Sequence, residues 1–157
     1  MEPRYRLRMF EALAIITLLA AAAAAQQAVQ PPTEEGQEGA IGCMRTIVTA
    51  EIAYAATYGK GYSPTLVSLA EGAQGQEPTA SAAGLIDTSL GSGKRKGYIY
   101  TYRSGPKDAQ GQTKTYTATA RPMKWQKGVL SVFTDQTGVI RVTKENRAAN
   151  GKDPAIE

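Results

Sequence analysis

Residues 42–70, "GCMRTIVTAEIAYAATYGKGYSPTLVSLA", change character part-way through, and that change decides the reading of the chain. From Ala40 to Tyr58 apolar residues recur at helical spacing: Ile41, Met44, Val48, Ile52 and Ala55 form a stripe that Ala40, Ile47 and Ala56 widen. Arg45, Thr46 and Thr49 fall on the other side, so one face of a helix is expected to lie on a core. Gly59 and Gly61 supply the left-handed backbone that ends a helix. In "SPTLVSLAEG", Ser63 is expected to cap a second, short helix with Pro64 at its first position and Leu66, Val67 and Leu69 on its apolar face. A loop, "GQEPTASAAG", follows, and "LIDTSLGSG" allows one more helical turn before Gly91 and Gly93.

Downstream the period shortens to two. "GYIYTYR" sets Tyr98, Tyr100 and Tyr102 on one strand face against Ile99 and Thr101. "RSGPKDAQGQTK" has the composition of a long hairpin loop. In "TYTATARP", Tyr116, Ala118 and Ala120 oppose Thr115, Thr117 and Thr119, and Pro122 closes the strand. "VLSVFTDQTGVIRVT" reads as two strands joined by a turn from Asp135 to Gly138. The expected fold is α+β: an N-terminal amphipathic helix packed on an antiparallel meander of three or four strands.

Upstream, Arg4, Arg6 and Arg8 precede an apolar run, Leu13 to Ala25, which ends in small residues. These are the zones of an export signal, with cleavage expected between Ala25 and Gln26. The uncharged run is shorter than the ~20 apolar residues of a spanning helix. An uncleaved inner-membrane anchor is the alternative. Tyr5 separates Arg4 from Arg6, so no twin-arginine pair is present. "AIGC" at Cys43 lacks the apolar segment that a lipoprotein signal requires.

Setting aside residues 1–25 leaves 132 of the 157, enough for one small domain. Three of the 18 Lys and Arg and two of the 14 Asp and Glu go with that segment, leaving a net charge of +3. So mild an excess does not call for nucleic acid. Residues 26–39, with Pro31 and Pro32, three Glu and little to bury, are expected to be a flexible linker. The domain then runs 40–143, and 144–157, "KENRAANGKDPAIE", is a polar tail with little to order it. A single cysteine excludes an internal disulfide; Cys43, one turn from Ile47, is expected to be buried, with a reactive thiol as the alternative.

With no histidine, Ser-His-Asp and Cys-His catalysis and histidine metal sites are excluded. No pair of carboxylates stands at acid–base spacing. Asp108 and Asp135 stand alone, short of the six to eight oxygens of a calcium site, and Asp135 in "TDQTG" reads as a turn residue bonding its own backbone. No cofactor or metal is expected. The basic cluster Lys94, Arg95 and Lys96 invites a polyanion reading, against the simpler one of a solvated hairpin tip. Tyr54, Tyr58, Tyr62, Tyr98, Tyr100 and Tyr102 are expected either to pack helix, loop and sheet together or to present an interaction face for a glycan or peptide. Glu51, set among Ala and Ile, is expected to pair with a lysine or cap a backbone amide.

Taken in order, "RTIVTAEIAYAATYGKGYSPTLVSLA", "AGLIDTSLGSGKRKGYIYTYR" and "FTDQTGVIRV" resemble the head region of type IV pilin-like proteins and type II secretion pseudopilins, over about Ala40 to Val142. The resemblance implies a helix whose second half packs on an antiparallel sheet, a mechanical and architectural role, and a structural part for Glu51. In that family a glycine, phenylalanine, threonine and a glutamate at the fifth mature position precede some 20 apolar residues. Here the counterpart is "RMFEALAIITLLAAAA", where Arg8 and Met9 precede Phe10 and Glu11; neither the glycine nor the glutamate spacing is kept. Pro31, Pro32 and the glycines of "EEGQEG" interrupt what would be one continuous helix. The expectation is therefore a non-enzymatic pilin-like domain behind an ordinary export signal. It would be periplasmic or extracellular, touch the membrane only transiently through its N-terminal segment, and work by association with proteins of a pilus or secretion apparatus. The alternative is a soluble ligand-binding module using the tyrosine-rich face.

Overall fold

The computed structural model describes residues 31–156. The expected signal, residues 1–25, its cleavage pair Ala25 and Gln26, and the first residues of the expected linker lie outside the described residues.

Helix α1, Glu34–Tyr58, is the longest element. Thr33 caps it, its Oγ1 accepting the Gly36 N–H at 3.2 Å, and Glu34 and Glu35 place negative charge on the first turn, where the helix dipole favours it. At the other end Gly59, φ +64°, donates to the Ala55 carbonyl and stops the helix. The segment read as linker is thus helical from Glu34, ahead of the expected start at Ala40. A good cap and an acidic first turn outweigh Gly36 and Gly39.

The buried stripe of α1 is also rotated from the expected one. Ala40, Cys43, Met44, Ile47, Ala50, Glu51 and Tyr54 are buried, whereas Ile52 is 62% exposed and Val48 and Ala55 are only half-buried. Counting only aliphatic residues misplaced the face, because Glu51 and Tyr54 both find polar partners inside. The Tyr54 hydroxyl donates to the Ala80 carbonyl at 2.8 Å. Cys43 is buried, as its helical position suggested.

Helix α2, Leu66–Leu69, is capped by Thr65, not Ser63: the Thr65 Oγ1 accepts the Ser68 N–H. Ser63 was the expected cap, but its hydroxyl is committed to Glu51. Helix α3, Thr88–Gly91, is capped by Asp87, whose Oδ1 accepts from the Leu90 N–H at 3.0 Å. A parallel bridge between Ala70 and Ile86 ties the two short helices together.

Five strands follow in an antiparallel meander, ordered as in the sequence: β1 Lys94–Arg95, β2 Tyr98–Ser104, β3 Tyr116–Pro122, β4 Ser131–Asp135 and β5 Arg141–Thr143. The fold is α+β. The strand beyond the expected three or four is β1, folded back on β2 through Lys96 and Gly97, both at positive φ (+48° and +78°). Two such residues make the turn whose twist suits a two-residue hairpin. The basic tripeptide is thus the hairpin itself: Lys94 and Lys96 are exposed, and Arg95 pairs with Asp87.

Alternation along β2 and β3 sends Tyr98, Tyr100, Tyr116, Ala118 and Ala120 inward, with Tyr102 half-buried beside them. These side chains join Ala40, Met44, Ile47, Leu69, Leu90 and Val132 in one apolar cluster. The opposite sheet face carries the cross-strand pairs Ile99–Arg121, Thr101–Thr119 and Arg103–Thr117. Strand β4 is buried on both faces, and the C-terminal segment reaches Phe133: a Cβ on Gly151 would stand 3.8 Å from its ring.

The tail is ordered, contrary to the reading of residues 144–157. Val142 N–H donates to the Pro154 carbonyl and Ile156 N–H to the Ile140 carbonyl, both at 3.0 Å. Asp153, 6% exposed, accepts from the Arg147 guanidinium and from the Asn150 N–H, and Arg147 also pairs with Glu145. One carboxylate facing inward organises a segment whose composition alone looks unstructured.

Candidate functional site

The tyrosines do not form an exposed face. Tyr54, Tyr98 and Tyr100 are buried, and Tyr58, Tyr62 and Tyr102 are half-buried. They pack on one another and on Tyr116: ring centroids lie 4.8 Å apart for Tyr54–Tyr58 and for Tyr62–Tyr116, and 5.7 Å for the stacked Tyr102–Tyr116 pair. Packing, not presentation, is their place in the fold.

Burial governs the acidity of four of them. It pushes Tyr98 up to about 12. Tyr100, Tyr102 and Tyr116 are also raised, chiefly by burial, with Cys43 adding to the effect at Tyr100 and Glu51 at Tyr102 and Tyr116. Phenolate chemistry is therefore suppressed at Tyr98, Tyr100, Tyr102 and Tyr116.

At its centre lies Glu51, fully buried. Its Oε2 accepts the Ser63 N–H at 2.8 Å and its Oε1 the Ser63 hydroxyl at 2.6 Å. Tyr102 donates to the Ser63 carbonyl at 2.9 Å. Of the two expected roles, Glu51 takes that of capping a backbone amide: it pins the chain leaving α1 beneath the sheet. Ser63 and Glu51 are in contact, but both are sealed from solvent, and the arrangement is a structural clamp.

The expected lone acidic residues stand apart. Asp135 accepts from the Thr137 N–H and hydroxyl in the β4–β5 turn. Asp108 accepts from the Gln110 and Gln112 N–H groups and pairs with Lys114; these contacts, the Gln112 N–H first, hold its carboxyl below the usual range. Among the described residues no three His, Cys, Asp or Glu side chains gather where they could hold a metal, and no helix is long and apolar enough to cross a membrane.

A feature open to solvent lies on the outer sheet face. A groove of about 860 Å³ runs across β2 and β3 to the segment after β3 and the C-terminal tail. Ile99, Thr101, Arg103, Thr119, Arg121, Met123, Lys124, Trp125, Asn146 and Ala148 are among its lining residues, and no carboxylate is. Ile99 and Met123 are 43% and 38% exposed. Arg121 is steadied by a hydrogen bond to the Asn146 Oδ1 at 3.2 Å. Neither Arg103, Arg121 nor Lys124 has an ion-pair partner among the described residues, and the buried indole N–H of Trp125 has no hydrogen-bond partner there. The groove thus sets three cations beside the exposed Ile99 and Met123.

Alternation in "YIYTYR" and "TYTATAR" already places Ile99, Thr101, Arg103, Thr119 and Arg121 opposite the tyrosine face, so five members of the groove were open to sequence reasoning that attended only to the tyrosines. Trp125 and Asn146 sit in irregular segments, and no period would have brought them together.

No family model, no curated protein and no solved structure matches the chain.

Proposed function

We propose that the chain is an exported, non-enzymatic pilin-like protein that acts by protein–protein association at the cell envelope, in connection with a pilus or a type II secretion apparatus. What supports this reading is an α+β chain that joins a 25-residue helix to a five-stranded antiparallel meander. This is the arrangement implied by the resemblance of residues 40–142 to pilin heads. Further support comes from the interior: its polar residues are spent on packing and clamping, while the cations stand on the outer face, where a partner can reach them. Export is proposed from the N-terminal residue pattern, and contact with the membrane is transient, through that segment alone. A ligand-binding module built on the tyrosines gains no support, since the six residues are buried or half-buried.

Crosslinking in living cells tests the reading. Recovery of a defined envelope protein attached to the chain is the expected result. An isolated chain that is stabilised against heat by a small molecule, with no protein captured in cells, would replace association by ligand binding.

A further inference from the structure

Opposite the tyrosines, the sheet carries a track in which charge and hydroxyl alternate. Arg121 is level with Ile99 and Arg103 with Thr117, so the two arginines stand four positions apart, about 14 Å at ~3.4 Å per residue. Between them lie the hydroxyls of the directly paired Thr101 and Thr119. Trp125 lines the same groove with its indole nitrogen buried, so the surface it gives the groove is carbon. No carboxylate lines the groove, and the acidic groups around it are turned elsewhere. Glu145 pairs with Arg147, and Asp135, in the row of Arg103 and Thr117, holds Thr137. The exposed Glu34, Glu35 and Glu38 belong to the start of α1, where Gly36 lies beside the Lys96 carbonyl. From Arg121 to Arg103 the track runs away from that end.

We infer that this track binds an acidic polysaccharide whose carboxylates are separated by neutral sugars, with a carboxylate at each arginine and the sugars between them on the threonines. The inference goes beyond the association reading and does not depend on it. Guanidinium groups bind carboxylates through paired hydrogen bonds, and the long arginine side chains adjust their spacing to the repeat of the polymer. Threonine hydroxyls both donate and accept, as sugar hydroxyls do. The carbon surface of Trp125 packs on the C–H face of a sugar ring. Other polyanions match the track less well. Nucleic acid carries a charge at every nucleotide, ~3.4 Å apart along each strand of a duplex, and would set phosphates against the neutral threonines. An extended acidic peptide draws its main-chain hydrogen bonds from a sheet edge; the face of β2 and β3 has its backbone groups in the ladder.

The test is calorimetric titration of the purified full chain with hyaluronate, in which each carboxylate-bearing sugar alternates with a neutral one. Trp125 is the only tryptophan, so its fluorescence reports the site. Saturable binding with a changed emission is expected at about 50 mM salt, weakened at least tenfold at about 500 mM, where charges are screened. Neutral dextran should not bind, and polyglutamate and single-stranded DNA should bind at least tenfold more weakly than hyaluronate. Arg103→Gln/Arg121→Gln, at unchanged circular dichroism, should weaken binding at least tenfold. Thr101→Val/Thr119→Val should weaken it several-fold with every charge in place. If the double arginine variant disturbs the sheet, Arg103→Lys and Arg121→Lys, which keep the charge and lose the paired hydrogen bonds, should each weaken binding several-fold. No heat and no emission change with hyaluronate, equal affinity for polyglutamate or DNA, or arginine variants that bind like the native chain would each overturn the inference. Capture of an envelope protein in cells is read separately, so failure here leaves the association reading standing.

Discussion

Replacing Glu51 by alanine tests whether its carboxyl holds the chain leaving α1. The side chain is fully buried and accepts two hydrogen bonds, at 2.8 and 2.6 Å, both from Ser63. Each bond contributes about 1 kcal/mol net, and stranding the buried Ser63 N–H adds about 1–3 kcal/mol. The substitution is expected to cost about 3–5 kcal/mol, a large fraction of the ~5–15 kcal/mol that holds a domain together. With a urea slope of about 2 kcal/mol per molar, the unfolding midpoint should fall by roughly 1.5–2.5 M at unchanged slope. Ser63→Ala leaves the N–H paired but strands the buried Glu51 Oε1, so it should cost about 2–4 kcal/mol. The double variant should lose less than the two single losses combined, because both act on one contact. A midpoint shift below about 0.3 M for Glu51→Ala, or strict additivity with Ser63→Ala, would refute the clamp.

Other positions give independent tests. Gly61 has φ +75°, and a Cβ there would stand 2.0 Å from the Thr113 carbonyl oxygen, so Gly61→Ala should break the bridge to Thr113 and lower the melting temperature by about 10 °C. Arg147 and hydrogen bonds hold Asp153 down to about 2, below its unfolded value near 3.9; the stability it contributes is complete above the unfolded value and is lost as pH falls through about 2. Amide protection in residues 144–156, relative to the intrinsic exchange rate at each pH, should therefore fall between about pH 4 and pH 2, and Arg147→Ala should lower that protection already at neutral pH. Tyrosine absorbance should show the opposite sign. With Tyr98 raised to about 12 and Tyr100, Tyr102 and Tyr116 also raised, stability is intact below the ordinary value near 10 and lost as pH rises past it; their ionisation should appear in one step with loss of circular dichroism. Cys43 should react with a thiol reagent only as fast as the domain opens.

Much of the fold could be read from period and punctuation. The alternation of Tyr98, Tyr100 and Tyr102 located β2 and its inner face, and Gly59 located the end of α1, because each signal is local and sterically strict. The errors occurred where tertiary partners decide. Ile52 looked like core until Glu51 and Tyr54 found partners inside and turned the helix by part of a turn. The tail looked unstructured because one buried ion pair, Arg147–Asp153, leaves no pattern in composition. Lys94 and Arg95 became a strand because Lys96 accepts a left-handed backbone, which lysine seldom does. Of the groove, Ile99, Thr101, Arg103, Thr119 and Arg121 were accessible through alternation; Trp125 joins them by a route that only the folded chain defines.

The most direct test of the account is the intact mass of the chain made in its native host, taken separately from soluble and membrane fractions. The account predicts a species beginning near Gln26, recovered outside the cytoplasm and not held in the membrane. A membrane-held species beginning at Met9 or Phe10, especially one methylated at its N-terminus, would contradict it and make the chain a membrane-assembled filament subunit.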